Sequence, residues 1–176
     1  MTDPAFPAQP SANRRPRRTT AVIGAFAGLA VLIVVFALFA LYRPHHVRVP
    51  PLDEAWRIES GRLIYARSCA SCHGGNLEGQ PNWTSKLASG RLPAPPHDET
   101  GHTWHHPSVV LFEITKFGMK PPHAPANYQS DMRGFNDQLG DDEIWNVIAF
   151  IRSRWPEKIR TRHQQLDEQF AKQQRH

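Results

Sequence analysis

The pattern Cys69-Ala70-Ser71-Cys72-His73 constrains this chain more than any other feature of its sequence. Its two cysteines are the only ones among 176 residues, so a disulfide framework cannot hold the fold together. A CxxCH pentapeptide is the attachment signature of c-type haem, because two thiols one helical turn apart can each add to a vinyl group of one porphyrin. The following histidine then serves as an axial ligand of the iron. The pattern predicts one covalent haem c, held by Cys69 and Cys72, with His73 as the proximal ligand.

Other uses of a CxxC pair agree less well with the sequence. A structural zinc site needs a second pair of ligands, and no further cysteine or suitably spaced histidine pair is present. A thioredoxin-like redox pair lies at a helix N-terminus, where the helix dipole lowers the thiol pKa. Here the residues upstream, 53–67, form the predicted helix, so both thiols come at its C-terminal end. Two inert buried cysteines are the third alternative.

Two further helices are predicted downstream of the cysteines. The last, over 141–154, begins with three acidic residues and ends in arginines, which matches the helix dipole, and carries an apolar stripe. A middle helix over 107–117 has proline in its first turn and Gly118 just past its end. The other residues of 74–140 are rich in proline and are predicted to be loops that pack on the haem. The stripe of the last helix consists of Ile144, Val147, Ile148 and Ile151.

The upstream helix is expected to cross the last helix closely. Asp53 is its predicted N-cap. Gly61, Tyr65 and Cys69 follow one another at intervals of four residues and therefore share one face. Because glycine has no side chain, Gly61 allows another helix to approach this face.

These elements together resemble a class I cytochrome c over about 53–156. The resemblance implies an all-α fold, the class I cytochrome c fold around one covalently attached haem. It also implies single-electron transfer by Fe(II)/Fe(III) cycling rather than enzymatic catalysis. Three motifs carry it: Gly61-x3-Tyr65-x3-Cys69-x2-Cys72-His73-Gly74, Met132 with Phe135 three residues later, and Asp141-Asp142-Glu143-Ile144-Trp145-x3-Ala149-Phe150-Ile151.

The same resemblance makes Met132 the distal ligand of the iron. Family members commonly have Met-Pro-x-Phe at this point, whereas this chain has Met132-Arg133-Gly134-Phe135. The missing proline would have fixed one backbone angle of the ligand loop. Met119 is the rival ligand, and a histidine or an open distal position is a further alternative. Either methionine is otherwise ordinary core filling.

Residues 21–42 contain no charge and no proline. A helix of that length spans about 33 Å, enough to cross a hydrocarbon core of about 30 Å. The run predicts a single transmembrane helix that is not removed, with a cleaved signal peptide as the alternative. Four arginines within 14–18 favour a cytoplasmic N-terminus.

The predicted order is a disordered cytoplasmic arm (1–20), the anchor (21–42), a proline-rich linker (43–52), the periplasmic cytochrome domain (53–156) and a charged, mainly solvated helical tail (157–176).

Charge argues against a nucleic-acid partner although the sequence pI is about 9.6. Residues 43–156 carry twelve Lys and Arg against twelve Asp and Glu, so this part is neutral. The expected partners are the bacterial inner membrane, through 21–42, and redox proteins in or near it. The expected role is a membrane-anchored periplasmic electron carrier. The alternatives are a permanent haem subunit of a membrane oxidase or periplasmic dehydrogenase complex, and a haem-based sensor.

A histidine-rich run follows in the loops. His102 and His106 are four residues apart, which raises the alternative of a second metal or a bis-histidine haem. The simpler interpretation is a polar loop that includes His105, with His106 capping the helix that starts at Pro107. Trp56 and Trp83 are expected to pack in the core or against haem.

Overall fold

The computed structural model describes residues 29, 31–38 and 47–174, which fall into two units separated between residues 46 and 47. In the first unit, 31–38 are helical with exposed apolar side chains. Most of the predicted span 21–42 lies outside the described residues, as do the arm 1–20 and part of the linker. Within the described part of the chain, none of the helices has the length and apolar character that crossing a bilayer requires. The anchor therefore stays a prediction.

The second unit is built from helices and loops, as predicted, and its described residues 47–174 contain no strand. No helix falls within 74–102 or 118–140, so these loops make up much of the unit. The elements are α1 (Ala55–Ser68), α2 (Ala70–His73), a short 3-10 turn (Thr103–His105), α3 (Ser108–Phe117), α4 (Asp141–Ser153) and α5 (Glu157–Gln173).

The first and last predicted helices cross closely, as expected. A Cβ atom built on Gly61 would lie 1.8 Å from the carbonyl oxygen of Asn146 in α4, so only glycine fits there. Polar side chains hold the crossing beside this point: the buried Arg57 donates to Asn146 Oδ1 at 2.7 Å, and Asn146 Nδ2 donates to Ser60 Oγ at 3.1 Å. The buried core of the unit therefore forms around α1 and α4.

The start of α1 differs from the prediction. Glu54, not Asp53, is the N-cap, and its side chain makes no capping hydrogen bond. The Asp53 carboxylate instead accepts a hydrogen bond from the buried Arg152 at 2.8 Å. A buried guanidinium needs a partner more than an exposed helix end does, because water can solvate the free N–H groups there. Of the two places expected for Trp56, the protein core is excluded, since the side chain is 58% exposed and lies beside the Arg57 guanidinium.

Helix α4 supplies most of the core. All four residues of its predicted stripe are buried, and Ile144 has no exposed surface. The Glu143 carboxylate accepts a hydrogen bond from the Gly140 N–H at 3.0 Å and so satisfies one of the free donors at the helix start. Phe112 of α3 stacks on Trp145 with ring centroids 4.5 Å apart, which fixes α3 to α4.

The C-terminal tail is helical and mostly exposed, as expected, but it is bound to the rest of the unit at two points. In α5, His163 has no exposed surface; its Nε2–H donates to the His106 carbonyl at 2.9 Å, and the ring packs edge-on against Trp155. Asp167 caps α3 by accepting hydrogen bonds from the Ser108 N–H at 2.6 Å and hydroxyl at 2.7 Å. These contacts bind α5 to the start of α3.

Candidate haem-binding site

Both cysteines lie at the junction of α1 and α2, as free thiols. Cys69 is the C-cap of α1 and is half-buried, whereas Cys72 is exposed in α2. Burial, together with the neighbouring Cys72, raises the pKa of the Cys69 thiol to about 11. The thiol therefore stays protonated at neutral pH, unlike the activated thiolate of a thioredoxin-like redox pair.

His73 is buried at the end of α2 and oriented by a single hydrogen bond. Its Nδ1 lies 2.9 Å from the carbonyl oxygen of Pro95. A carbonyl can only accept, so Nδ1 carries the proton and the Nε2 lone pair is left for a metal. Burial lowers the pKa of His73, partly offset by the bond to Pro95, which favours the neutral imidazole that a ligand must be.

The turn after His73 is set by Tyr65 and Gly74. The hydroxyl of the fully buried Tyr65 donates to the Gly74 carbonyl at 3.0 Å. Gly74 has φ = 82°, a conformation that side-chain-bearing residues rarely adopt. Burial raises the pKa of Tyr65, so the phenol remains a hydrogen-bond donor. The three residues of this helix face therefore have separate tasks. Gly61 allows the helix crossing, Tyr65 donates this hydrogen bond and Cys69 carries the thiol.

A second histidine that the sequence did not single out lies against the first. The rings of His97 and His73 are stacked, with centroids 4.0 Å apart and planes inclined by 22°. Burial, together with His73 and His102 nearby, holds the pKa of His97 well below its usual range. No feature of the sequence marked this contact, because it depends on how the loop that contains Pro95 passes over His73.

Met132 lies half-buried in a loop that is tied to the end of α3. The Phe135 N–H donates to the Thr115 carbonyl and the Asn136 N–H to the Lys116 carbonyl, both at 3.0 Å. A Cβ on Gly134 would lie 2.7 Å from the Lys116 oxygen, so glycine permits this close approach. Backbone hydrogen bonds thus hold the loop without a proline at position 133.

The rival ligand Met119 belongs to the adjoining segment. It follows Gly118. A Cβ atom built on this glycine would lie 3.0 Å from the backbone nitrogen of Gly134 and 3.4 Å from the carbonyl oxygen of Met132. The structure thus brings the two methionine segments together, and both side chains are half-buried. This proximity does not choose between the two sulfur atoms.

The histidine-rich run forms ring contacts. His102 stacks on Trp83 and meets His106 edge to face, with centroids 5.5 Å apart in each pair. Burial lowers the pKa of both histidines. Across residues 29, 31–38 and 47–174, no group of three or more His, Cys, Asp or Glu side chains is arranged to hold a metal ion. The prediction that His106 caps α3 is wrong, because the carboxylate of Asp167 in α5 accepts the hydrogen bond from the Ser108 N–H at the start of α3.

The residues present fit a covalently bound haem. The two thiols are free on adjacent turns, and the Nε2 lone pair of His73 is not used by the hydrogen bond to Pro95. Large apolar side chains of the loops and of the end of α3 are also left partly exposed, which suits a large apolar cofactor. These are Leu87 (49% exposed), Leu92 (37%), Phe117 (49%) and Tyr128 (39%).

Comparison with known proteins identifies the class. The family model of cytochrome c matches residues 58–155, which is more than half of the chain. The chain therefore belongs to the cytochrome c family, as the sequence resemblance predicted, and to its class I c-type members. Its cofactor is covalent haem c, and it is a haem-based electron-transfer protein of a family that is typically extracytoplasmic and generally non-enzymatic. No curated protein matches it.

Proposed function

We propose that this protein is a membrane-anchored monohaem carrier that passes single electrons between redox proteins on the periplasmic side of a bacterial inner membrane. In this proposal 21–42 is the anchor and the cytochrome domain over 53–156 holds one haem c. Cys69 and Cys72 form the thioethers, His73 is the proximal ligand and Met132 the distal ligand.

The hydrogen bond from His73 to Pro95 carries the ligand assignment. It is 2.9 Å long, fixes the tautomer and gives the ring a defined direction. Metal-binding histidines characteristically donate their second nitrogen to an oxygen acceptor, and here that bond is made by the histidine that directly follows the CxxC pair. The two free thiols just before it in sequence suit covalent attachment.

The residues of this chain have distinct tasks in the proposed mechanism. Bound haem supplies the one-electron Fe(II)/Fe(III) couple. Cys69 and Cys72 would hold the haem by addition of each S–H bond across one vinyl group, so attachment would need no oxidant and the cofactor could not leave. His73 and Met132 would supply an imidazole and a thioether to the iron, which would leave no position for O₂. A thioether together with an imidazole would also raise the reduction potential relative to two nitrogen ligands.

The anchor would act on encounter rates. A linker of about ten residues rich in proline reaches about 30 Å, so the domain would stay near the bilayer. Confinement of this kind raises the effective concentration of the carrier for partners in the same membrane. The neutral charge of 43–156 fits short-range docking to protein partners better than binding to a polyanion.

A pyridine haemochrome spectrum, with the mass of the intact chain, tests the cofactor assignment. The full-length protein, matured in a host able to attach haem, should show a two-thioether spectrum and one added haem. Cys72→Ala should give the spectrum of a single thioether, while Ser71→Ala, next to it, should leave the spectrum unchanged. A colourless, exported protein with two titratable thiols would exclude the proposal.

Membrane extraction tests the anchor and the carrier role. Full-length protein should need detergent for release, and a variant lacking 21–42 but exported by a cleavable leader should be soluble and keep its haem. Mild solubilisation should release a separate carrier. Recovery in a larger complex would instead indicate a permanent subunit, and a CO-induced spectral shift of the reduced protein would indicate a sensor with an open distal position.

A further inference from the structure

The contact between His97 and His73 is unusual because two imidazole rings lie nearly parallel. Their centroids are 4.0 Å apart, close to van der Waals contact for flat rings. His73 is also held by its hydrogen bond to Pro95, two residues before His97. One short loop therefore contacts the proximal imidazole both at its edge and on its face.

His97 is itself tightly fixed. Its N–H donates to the Leu77 carbonyl at 2.8 Å, and its own carbonyl accepts from Trp155 Nε1 at 2.7 Å. Its ring Nδ1 lies 2.8 Å from the Thr103 hydroxyl, which donates to Pro96 at 3.4 Å. Because that hydroxyl has one proton, His97 Nδ1 is the donor to Thr103. The ring is also packed edge to face against Tyr65, with centroids 6.3 Å apart, so a second contact besides the Thr103 bond restricts its plane.

The two contacts on His73 restrict different motions. A hydrogen bond to a carbonyl tolerates a broad range of angles, so the Pro95 bond alone allows the imidazole to tilt. A flat, immobile ring 4.0 Å away opposes that tilt, because tilting would press ring atoms of His73 into it. An aliphatic side chain of equal volume would fill the space without presenting a plane.

We propose that His97 is a positioning residue that fixes the plane of the His73 imidazole and thereby tunes the electronic structure of the haem iron. The proposal rests on the proposed function, in which His73 is the axial ligand. The imidazole π orbital overlaps iron d orbitals according to the plane of the ring, so a change of plane alters the distribution of unpaired spin in the ferric state. Groups that orient a metal ligand tune the metal in the same way in other sites.

Two matched variants of the full-length, haem-loaded protein test the proposal. His97→Phe keeps a flat ring, whereas His97→Leu fills similar space without one; both lose the bond to Thr103. The readouts are the haem-methyl proton shifts of the ferric protein and the midpoint potential. His97→Phe should keep the wild-type order of the four methyl resonances. His97→Leu should change that order and shift the potential.

A role in packing alone gives a different result. Both variants would then lower the thermal unfolding midpoint while leaving the methyl shifts and the potential unchanged, which would overturn the proposal. If His97→Leu fails to load haem, the ferrous wild-type protein can still show whether the rings of His97 and His73 are stacked. Nuclear Overhauser contacts between the two imidazole rings are expected there, and their absence would exclude the stacked arrangement in the loaded protein.

Failure of the proposed function would be visible before any variant is made. Wild-type protein without a two-thioether haemochrome spectrum, or without a low-spin ferric spectrum, would contradict haem attachment or the axial ligands. A normal wild-type spectrum together with wild-type shifts in His97→Leu would contradict only the role of His97.

Discussion

The carbonyl oxygen of Asn146 occupies the space in which a side chain at Gly61 would begin, 1.8 Å from the ideal Cβ position. Backbone therefore meets backbone where α1 crosses α4, and no side chain can rotate away to make room. This contact sets the distance between α4 and α1, the helix that ends at Cys69.

Gly61→Ala should lower the free energy of unfolding by about 3 kcal/mol or more, the upper end for overpacking, because a helix backbone has to move. Urea denaturation of the haem-loaded protein measures it. Gly140→Ala is the control, since its added Cβ would meet only the flexible Glu143 carboxylate, at 3.8 Å. Equal stabilities of the two variants would show that the helices do not cross at Gly61.

Asp167→Ala should remove the cap that α5 provides for α3. The carboxylate accepts two hydrogen bonds from Ser108, at 2.6 and 2.7 Å, so we expect a loss of about 2 kcal/mol of stability. Glu168→Ala is the matched control, because Glu168 is exposed and bonds only to Gln164 in its own helix. Thermal unfolding compares the two variants; similar midpoints would mean that α5 is not bound at Ser108.

Stability should fall in mildly acidic solution because of His163. Burial is the main cause that lowers its pKa, opposed by Asp167 and by the bond to His106, and Arg152 adds to the lowering. Its Nδ1 is buried without a hydrogen bond, 3.8 Å from the Asp167 carboxylate. The folded pKa lies below the unfolded value of about 6.5, so the unfolded chain takes up the proton first and stability decreases as pH falls through that range.

His163→Gln removes this titrating group while leaving an amide that can donate to the His106 carbonyl. We expect a flatter dependence of the unfolding free energy on pH between about 5 and 7 than in the wild type. His105→Gln controls for the loss of one histidine, because His105 is exposed. An unchanged slope in His163→Gln would show that His163 does not lose a proton on folding.

Met132→Leu should abolish the weak near-infrared band of methionine bound to ferric haem, and the reduced protein should then bind CO. The reason is that leucine has no sulfur to fill the distal position. Met119→Leu is the control, since Met119 is the neighbouring methionine and is also half-buried. Loss of the band in Met119→Leu instead would assign the distal ligand to Met119.

The sequence by itself determined the features that depend on local spacing. The CxxCH pattern predicted the cofactor, and the apolar period and acidic start of 141–154 predicted α4, whose stripe is buried. Gly61 predicted the close helix crossing, because only the absence of a side chain permits one. Each of these signals lies within a single segment of at most about four helical turns, so neighbouring residues in the chain are enough to reveal it.

The tertiary structure alone decided the contacts between distant parts of the chain. The bonds from Ser108 to Asp167 and from His163 to His106 join residues 59 and 57 positions apart, and no periodicity marks such pairs. His97 and His73 meet only because the Pro95 loop folds back over α2. Burial and hydrogen bonding of this kind depend on where the loops pass in space. From the sequence alone, a polar residue such as Asp167 is therefore expected to be a solvated charge, because its partner Ser108 is distant in the chain.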